Sequence, residues 1–302
     1  MSSDVLDKIE KDTKNNFYGA ILILSSGVCF AFLGIFGKFF FQKGFDVGLI
    51  LTARFITASI FLALVFLIRI IFKKVNYFHI DRKHFFAAIF LGVFGYACFS
   101  TLLFMSFKYL SVSLAVMLLF TFPFFVFFGS VFLGHEKFTI KKVISLGMVA
   151  MGLFFLLSVE LKVESYQGVF FAVLSAALYG LYILISARYQ KNINPVTSSF
   201  YVITGAAVAL LLYNRPDFEK IWSADFNIQI NFLLLGLIGT VLPLSLFQAG
   251  LQKISGTKAS VLGTVEPVLA SFYAFVLFGE PLNYLQMLGV VIIVIADILI
   301  LK

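Results

Sequence analysis

The sequence contains few of the residues that a water-soluble protein needs on its surface. Charged residues make up 13% of its 302 residues, whereas roughly 25% is usual for soluble domains. Hydrophobic residues make up 61%, and 40 residues are Phe. A chain of this composition cannot cover a folded core with polar groups, so a soluble globular protein is excluded.

Cysteine, histidine and nucleotide-binding motifs are also scarce or absent. Only Cys29 and Cys98 are present, both inside apolar stretches, so the chain has no disulfide framework. The sequence has neither the phosphate-binding pattern GxxxxGK[ST] nor the metalloprotease pattern HExxH. His79, Asp81 and His84 share one loop without further ligands, and we predict no metal and no cofactor.

The apolar residues are concentrated in ten segments, each in or near the range of about 17–25 residues that crosses a bilayer as a helix. None of them alternates with a period of two, which excludes a membrane barrel. The predicted fold is therefore an all-α polytopic membrane protein with ten transmembrane helices. The segments are Phe17–Gly37, Val47–Ile68, Phe85–Phe107, Ser111–Leu133, Val143–Val159, Tyr166–Ala187, Val196–Tyr213, Ile230–Leu251, Ala259–Gly279 and Pro281–Leu301.

Lys and Arg are distributed unevenly between the two sets of loops. The set that includes both termini carries 16 of them and the other set carries six. Basic loops remain in the cytoplasm, so both termini are predicted to be cytoplasmic in a plasma (bacterial inner) membrane. Residues 1–16 lack the pattern of a cleaved signal peptide and are predicted to form a short cytoplasmic tail. Because the positive charge is dispersed over short segments, nucleic acid is not an expected partner.

The sequence also contains a weak internal repeat. With a shift of 144 residues, residues 91–136 align with residues 235–280 without a gap. Two repeats of five helices follow, at 17–159 and 166–301, and an odd number of helices makes the second repeat enter from the opposite face. Inverted repeats are typical of secondary transporters, with the substrate site near the midplane. The matched pairs include Gly92/Gly236, Gly95/Gly239, Ser111/Ser255, Pro123/Pro267 and Glu136/Glu280.

Several strings resemble the EamA-type domains of the drug/metabolite transporter superfamily, and the resemblance covers roughly residues 17–301. Leu133-Gly-His-Glu136 and Leu277-Phe-Gly-Glu280 are similar to the family's "LGE" ending, although His135 replaces its usual Gly. Val265-Glu-Pro-Val-Leu-Ala270 resembles the second-half "EPV-A" motif, and Arg54-Phe55 resembles the first-half "RF" motif. The resemblance implies export or exchange of small metabolites.

Three charges lie inside the apolar segments: Arg54, Glu266 and Asp297. Glu266 lies near the midplane, where a carboxylate is costly unless it faces a wet cavity or a partner. It serves either as a proton or substrate-amine site or as a cap for backbone groups freed by Pro267. Arg54 either captures a substrate carboxylate or phosphate or forms a structural tie. Asp297 is expected to reach the cytoplasmic interface, and Glu136 and Glu280 to be structural, with Glu280 beginning the last helix.

Polar side chains within the segments are further candidates for the cavity wall. Tyr179 and Tyr182 are three residues apart and share a helix face. The predicted substrate-binding residues are Arg54, Glu266, Tyr96, Ser100, Tyr179, Tyr182, Gln248 and Ser26.

These features predict a secondary transporter, not an enzyme, that carries a small amino-acid-like or related polar or amphipathic metabolite by alternating access. Coupling to protons or to a counter-solute is left open, and the expected state in the bilayer is a monomer or weak dimer. A membrane-embedded enzyme acting on lipids, or a channel, is the alternative.

Overall fold

A computed structural model describes residues 3–158 and 165–301, with side chains from Lys14 onward. Within these ranges every regular element is helical and no strand occurs. Nine of the helices are at least 18 residues long and apolar enough to cross a membrane, and a tenth apolar helix, Ile140–Leu156, has 17 residues. The predicted all-α polytopic fold is therefore confirmed.

The helices are numbered α1 to α10 along the chain. The first five are α1 (Ser3–Gln42), α2 (Val47–Lys73), α3 (Arg82–Ser106), α4 (Val112–Phe132) and α5 (Ile140–Leu156). The second five are α6 (Tyr166–Tyr189), α7 (Pro195–Asn214), α8 (Phe226–Leu251), α9 (Gly256–Phe278) and α10 (Tyr284–Leu301). A helical turn, Glu219–Trp222, precedes α8. Val159, most of the predicted loop 160–165, and Lys302 lie outside the described residues.

The helices begin where the sequence supplies capping groups. The Asp46 carboxylate accepts a hydrogen bond from the Leu49 N–H at the start of α2 (2.9 Å). The Ser111 and Ser255 hydroxyl oxygens accept from backbone N–H groups in the first turns of α4 and α9. Side-chain oxygens at these positions satisfy N–H groups that have no partner within the helix. Because Ser111 and Ser255 are a matched pair of the repeat, both repeats start this helix in the same way.

One predicted helix start is wrong. Glu280 and Pro281 were expected to begin the last helix, but α10 begins at Tyr284. The side chains of Asn283 and Gln286 each accept a hydrogen bond from the other residue's N–H (both 2.9 Å). This reciprocal pair is a capping box, and it stabilises a start three residues after Pro281, which leaves Glu280 in a loop.

The outer surface of the bundle is apolar. Large hydrophobic side chains are exposed along it, among them Phe132 (90% exposed) and Phe72 (79% exposed). Such a surface is stable in lipid and not in water. The chain is therefore an integral membrane protein.

The helices of the two repeats pack against each other in a symmetric pattern. Helix α1 packs on α8 and α9, and its counterpart α6 packs on α3 and α4. Helix α2 packs on α8, as α7 packs on α3, while α2 contacts α7 and α5 contacts α10. Each repeat thus forms its contacts mainly with the other, and the centre of the bundle lies between them.

Glycines allow the closest of these helix crossings. A Cβ on Gly92 of α3 would lie 2.3 Å from the Val202 carbonyl oxygen of α7. A Cβ on Gly236 of α8 would lie 2.3 Å from the Thr57 hydroxyl oxygen of α2. Only a residue without a side chain fits at such distances.

Equivalent helices of the two repeats are interrupted near the centre of the bundle. Helices α3 and α8 contain π-helical turns at Leu91–Ala97 and Leu237–Val241. Helices α4 and α9 are broken after Leu119 and Leu262 and resume at Phe122 and Val265, just before Pro123 and Pro267. Irregular backbone at membrane depth is tolerated where it lines a cavity, so these breaks mark the region of the site.

Candidate functional site

A cavity of about 620 Å³ lies at the centre of the bundle, between helices of both repeats. It reaches one face of the molecule, where Lys38, Gln42 and Val112 line its mouth. We call this the less basic face, and we call the opposite one, with the loops 133–139 and 252–255, the basic face. The basic-face loops contribute nothing to the lining, so the central cavity is open to the less basic face only.

A second cavity, of about 600 Å³, enters from the basic face and shares no lining residue with the central one. On α6, Tyr179 lines the central cavity and Leu184 lines the second. On α8, Phe247 lines the central cavity and Leu251 the second. A layer about one helical turn thick therefore separates the two cavities.

Arg54 lies on α2 at the deep end of the central cavity, and the whole residue is only 8% exposed. Its guanidinium carbon is 4.6 Å from the centroid of the Phe55 ring, a cation–π distance. Its Nε has no hydrogen-bond partner, and Arg54 takes part in none of the three ion pairs among the described residues. The guanidinium is thus held against a ring and forms no salt bridge with a carboxylate of the described residues.

Glu266 lines the same cavity from α9, in the first turn after the break. Its backbone N–H donates to the Gly263 carbonyl oxygen (3.2 Å), and the Thr264 hydroxyl donates to the Val261 carbonyl oxygen (2.7 Å). The backbone before Pro267 is therefore satisfied without the Glu266 carboxylate, which forms no ion pair among the described residues. The two charges line one cavity without being paired to each other.

Aromatic rings form the wall beside these charges. The Tyr96 ring lies edge-on to Phe55 and Phe99, with centroids 5.4 and 4.9 Å apart. The Tyr179 ring lies 4.6 Å from Phe99 and 4.6 Å from Phe122. Rings in such contact are rigid and apolar, and the two tyrosines add hydroxyl groups. Tyr96 belongs to the π-helical turn of α3, so the interruption of that helix sets its position.

Tyr182 and Gln248 were predicted to bind substrate, and neither lines the cavity. Each is 1% exposed, and the Gln248 amide nitrogen donates to the Tyr182 hydroxyl (2.8 Å), with the Ser186 hydroxyl 3.4 Å away. Both lie in the layer between the two cavities. Tyr182 is about one helical turn beyond Tyr179 on α6, and Gln248 faces it from α8. Tyr182 stacks on Tyr179 (6.0 Å, 10° between planes), as their spacing predicted. Their hydrogen bond supports the floor of the central cavity.

Ser26 and Ser100 do line the cavity, but their hydroxyls are occupied. The Ser26 hydroxyl donates to the Pro243 carbonyl oxygen (2.8 Å), which joins α1 to α8. The Ser100 hydroxyl donates to the Tyr96 carbonyl oxygen (2.7 Å) within α3. Both groups stabilise the backbone around the site, and a substrate would meet their second lone pairs at most.

The sequence did not single out several residues that line the cavity. Eight Phe side chains belong to its apolar wall, and with 40 Phe in the chain no composition signal distinguishes them. Lys38 lies at the mouth and donates to the Glu280 carboxylate (2.7 Å), a contact across 242 residues of sequence. The eight rings belong to Phe30, Phe41, Phe99, Phe104, Phe107, Phe120, Phe122 and Phe247.

Asp297 does not reach solvent as the sequence suggested. It is 7% exposed on α10, and its Oδ1 has no hydrogen-bond partner among the described residues.

The group of His79, Asp81 and His84 lies at the start of α3 and forms one contact. His84 Nδ1 contacts the Asp81 carboxylate, and this hydrogen bond lowers the pKa of Asp81. No group of three or more potential metal ligands occurs within residues 3–158 and 165–301.

Comparison with known sequences connects this architecture to transporters. The model of the EamA-like transporter family matches the chain twice, over residues 17–158 and residues 166–302. In Bacillus subtilis, "Uncharacterized transporter YcbK" is 26% identical over 184 residues and "Uncharacterized transporter YoaV" is 29% identical over 181 residues. An "Uncharacterized transporter" of Archaeoglobus fulgidus is 27% identical over 172 residues. These alignments cover 57% or 58% of this chain and 58–62% of the relatives, so the chain spans about three fifths of their length.

The fold also occurs in a solved structure. A crystal structure with 16% sequence identity aligns with a TM-score of 0.75 and covers 93% of this chain and 95% of its own. At this identity the likeness shows the arrangement of the helices and carries no information on substrate.

Proposed function

The chain belongs to the EamA-like transporter family, and on that basis we propose that it is a secondary transporter for a small amino-acid-like metabolite. It works by alternating access as an exporter or exchanger, as a monomer or weak dimer in the plasma (bacterial inner) membrane. Both termini are cytoplasmic because the loops on their side carry most of the Lys and Arg. In this orientation the central cavity opens to the outside.

The observation that carries the proposal is the pair of opposite, unpartnered charges in one cavity. Arg54 and Glu266 both line the cavity and belong to none of the ion pairs among the described residues. An ionised group at membrane depth is unfavourable without a partner. A zwitterion supplies both partners at once, with its carboxylate on Arg54 and its ammonium group on Glu266.

The remaining wall favours an apolar substituent on that zwitterion. Tyr96, Tyr179 and eight Phe rings line the same cavity as the charges, and aromatic walls bind apolar groups and ammonium ions. The cavity volume of about 620 Å³ lies within the range of about 300–1,000 Å³ that is usual for small-molecule sites. We therefore favour amino acids with large apolar side chains and related amphipathic solutes.

The test is counterflow in proteoliposomes loaded with unlabelled amino acid. Wild-type protein should accumulate labelled amino acid saturably, and Arg54→Ala and Glu266→Gln should abolish this while the purified proteins remain folded. Arg69→Ala is the matched control, because Arg69 lies exposed at the end of the same helix as Arg54. Opposite pH gradients across the vesicles distinguish proton coupling from exchange with a counter-solute.

Other outcomes identify the alternatives. Flux that never saturates and shows no counterflow indicates a channel. Turnover of the vesicle lipid without solute flux indicates a membrane enzyme. Either result refutes the proposed function.

A further inference from the structure

The matched pair Glu136/Glu280 follows two equivalent helices, α4 and α9, on opposite faces of the molecule. With the 144-residue shift, Thr257 in the first turn of α9 corresponds to Ser113 in the first turn of α4. The symmetry of the repeats therefore predicts equivalent contacts at the two faces. The structure shows different ones.

At the basic face, Glu136 joins α4 to α9. One carboxylate oxygen accepts from the Thr257 backbone N–H (3.2 Å), and the other accepts from Lys142 Nζ (2.7 Å). The Glu136 side chain is only 9% exposed. A Cβ on Gly256 would lie 3.3 Å from Val126 Cγ1 of α4, so the two helices are in direct contact here. The face with this contact is closed to the central cavity.

The electrostatics of Glu136 agree with a carboxylate that is held in its ionised form. Burial raises the pKa of Glu136, but the hydrogen bonds from Lys142 and Thr257 outweigh it and lower the pKa below its usual value. Separating a buried carboxylate from such hydrogen-bond donors is costly, so this contact between α4 and α9 is stable.

At the less basic face, the equivalent contact is absent among the described residues. The Glu280 side chain is 56% exposed and pairs with Lys38 Nζ (2.7 Å) on α1, and Ser113 donates no hydrogen bond to it. Val112, at the start of α4, is 60% exposed and lines the mouth of the cavity. Lys38 also lies 4.2 Å from the centroid of the Phe278 ring. The mouth of the cavity lies between Lys38 of α1 and Val112 at the start of α4.

We propose that Glu136 and Glu280 are reciprocal latches of the transport cycle. Glu136 holds α9 against α4 while the cavity is open to the less basic face. In the opposite state Glu136 releases Thr257, and Glu280 leaves Lys38 and accepts the Ser113 N–H at the less basic face. This inference rests on the alternating access of the proposed function.

Loss of Lys38 and loss of Glu280 should have opposite effects on the cycle although the two residues form one ion pair. Lys38 acts only in the state seen here, where it holds Glu280 away from α4. Glu280 contributes a weak exposed ion pair in this state and a buried charge-assisted hydrogen bond in the other. Removing Lys38 should therefore favour closure of the less basic face, and removing Glu280 should oppose it.

The test measures the accessibility of a single cysteine at each face, in a background with Cys29 and Cys98 replaced by Ser. Val112→Cys reports on the mouth of the central cavity and Ala187→Cys on the cavity of the basic face. Each is labelled with a membrane-impermeant thiol reagent, in right-side-out and inside-out vesicles respectively. Glu136→Gln, Glu280→Gln and Lys38→Met are each combined with both reporters.

Glu136→Gln and Lys38→Met should slow labelling at position 112 and accelerate it at position 187, and Glu280→Gln should do the reverse. The expected change is about fivefold, the factor set by the loss of one capping hydrogen bond. If Glu136→Gln does not fold, Glu280→Gln and Lys38→Met carry the test, because both side chains are substantially exposed.

Two failures are distinguishable. If Glu280→Gln and Lys38→Met shift labelling in the same direction, the carboxylate serves only its ion pair and the latch inference is overturned, while alternating access stands. If added amino acid does not change the wild-type labelling rates at positions 112 and 187 in opposite directions, the protein does not alternate, and the proposed function fails together with the inference.

Discussion

The hydrogen bond between Gln248 and Tyr182 should stabilise both the fold and the cavity floor. Tyr182→Phe removes the acceptor 2.8 Å from the Gln248 amide nitrogen and leaves that buried donor with the longer contact to Ser186 (3.4 Å). An unsatisfied buried donor costs about 1–3 kcal/mol, and we expect the lower half of that range because the Ser186 contact remains. Gln248→Leu should destabilise by a similar amount.

A double-mutant cycle separates this hydrogen bond from the packing of the two side chains. Tyr182→Phe combined with Gln248→Leu removes both polar groups, so it should cost less than the sum of the single variants by roughly 1 kcal/mol. The free energies come from denaturant unfolding in detergent micelles, with KM from counterflow as a second readout. KM should rise in both single variants because Tyr179 stacks on Tyr182.

Tyr201→Phe is the matched control for that cycle. The Tyr201 hydroxyl donates to the Phe78 carbonyl oxygen (2.8 Å) far from the cavity. The control should therefore lose stability without a change in KM. Additive effects of the two single variants, or a KM change in the control as large as in Tyr182→Phe, would refute the assignment of a cavity floor.

Two further predictions concern the helix crossings and the acid side of stability. Gly92→Ala places a methyl group 2.3 Å from the Val202 carbonyl oxygen and should destabilise by about 1–3 kcal/mol. Gly147→Ala, with nothing within 4 Å, should be neutral or stabilising by up to about 1 kcal/mol. Equal melting temperatures of the two variants would contradict the close crossing of α3 and α7. The pKa of Glu136 is lower in the folded protein than in the unfolded chain, where it is near 4.3. The ionised carboxylate therefore stabilises the fold fully above the unfolded pKa, and this stabilisation is lost as the pH falls through the folded pKa. The stability difference between wild type and Glu136→Gln should thus be constant from about pH 6 to pH 8 and shrink below about pH 4, and a difference that grows on acidification would count against the contact with Lys142.

The fold was predictable because lipid imposes a simple rule on sequence. Apolar segments must be long and nearly free of charge, so their bounds are visible in the composition. The start of α10 was missed because Pro281 looks like the first residue of a helix, whereas the capping box of Asn283 and Gln286 gives better-satisfied backbone groups. That choice depends on local hydrogen bonds and not on hydropathy.

The candidate site was predictable only in part. Arg54 and Glu266 were identified because a charge at membrane depth needs a reason, and both line the cavity. Tyr179 and Tyr182 share a face, but only packing decides which of them meets the cavity and which meets Gln248. The Phe lining and the contact between Lys38 and Glu280 depend on tertiary structure alone.

The most direct test of the central claim is the binding of three related compounds, leucine, isoamylamine and isocaproate, to the purified protein, measured by titration calorimetry. Wild-type protein should prefer leucine to each single-charge analogue by roughly 30-fold, the factor for one charge-assisted hydrogen bond of about 2 kcal/mol. Arg54→Gln should lose the discrimination against the amine only, and Glu266→Gln should lose that against the carboxylate only. If both variants keep the wild-type preferences, the two charges do not bind a zwitterion and the account is wrong.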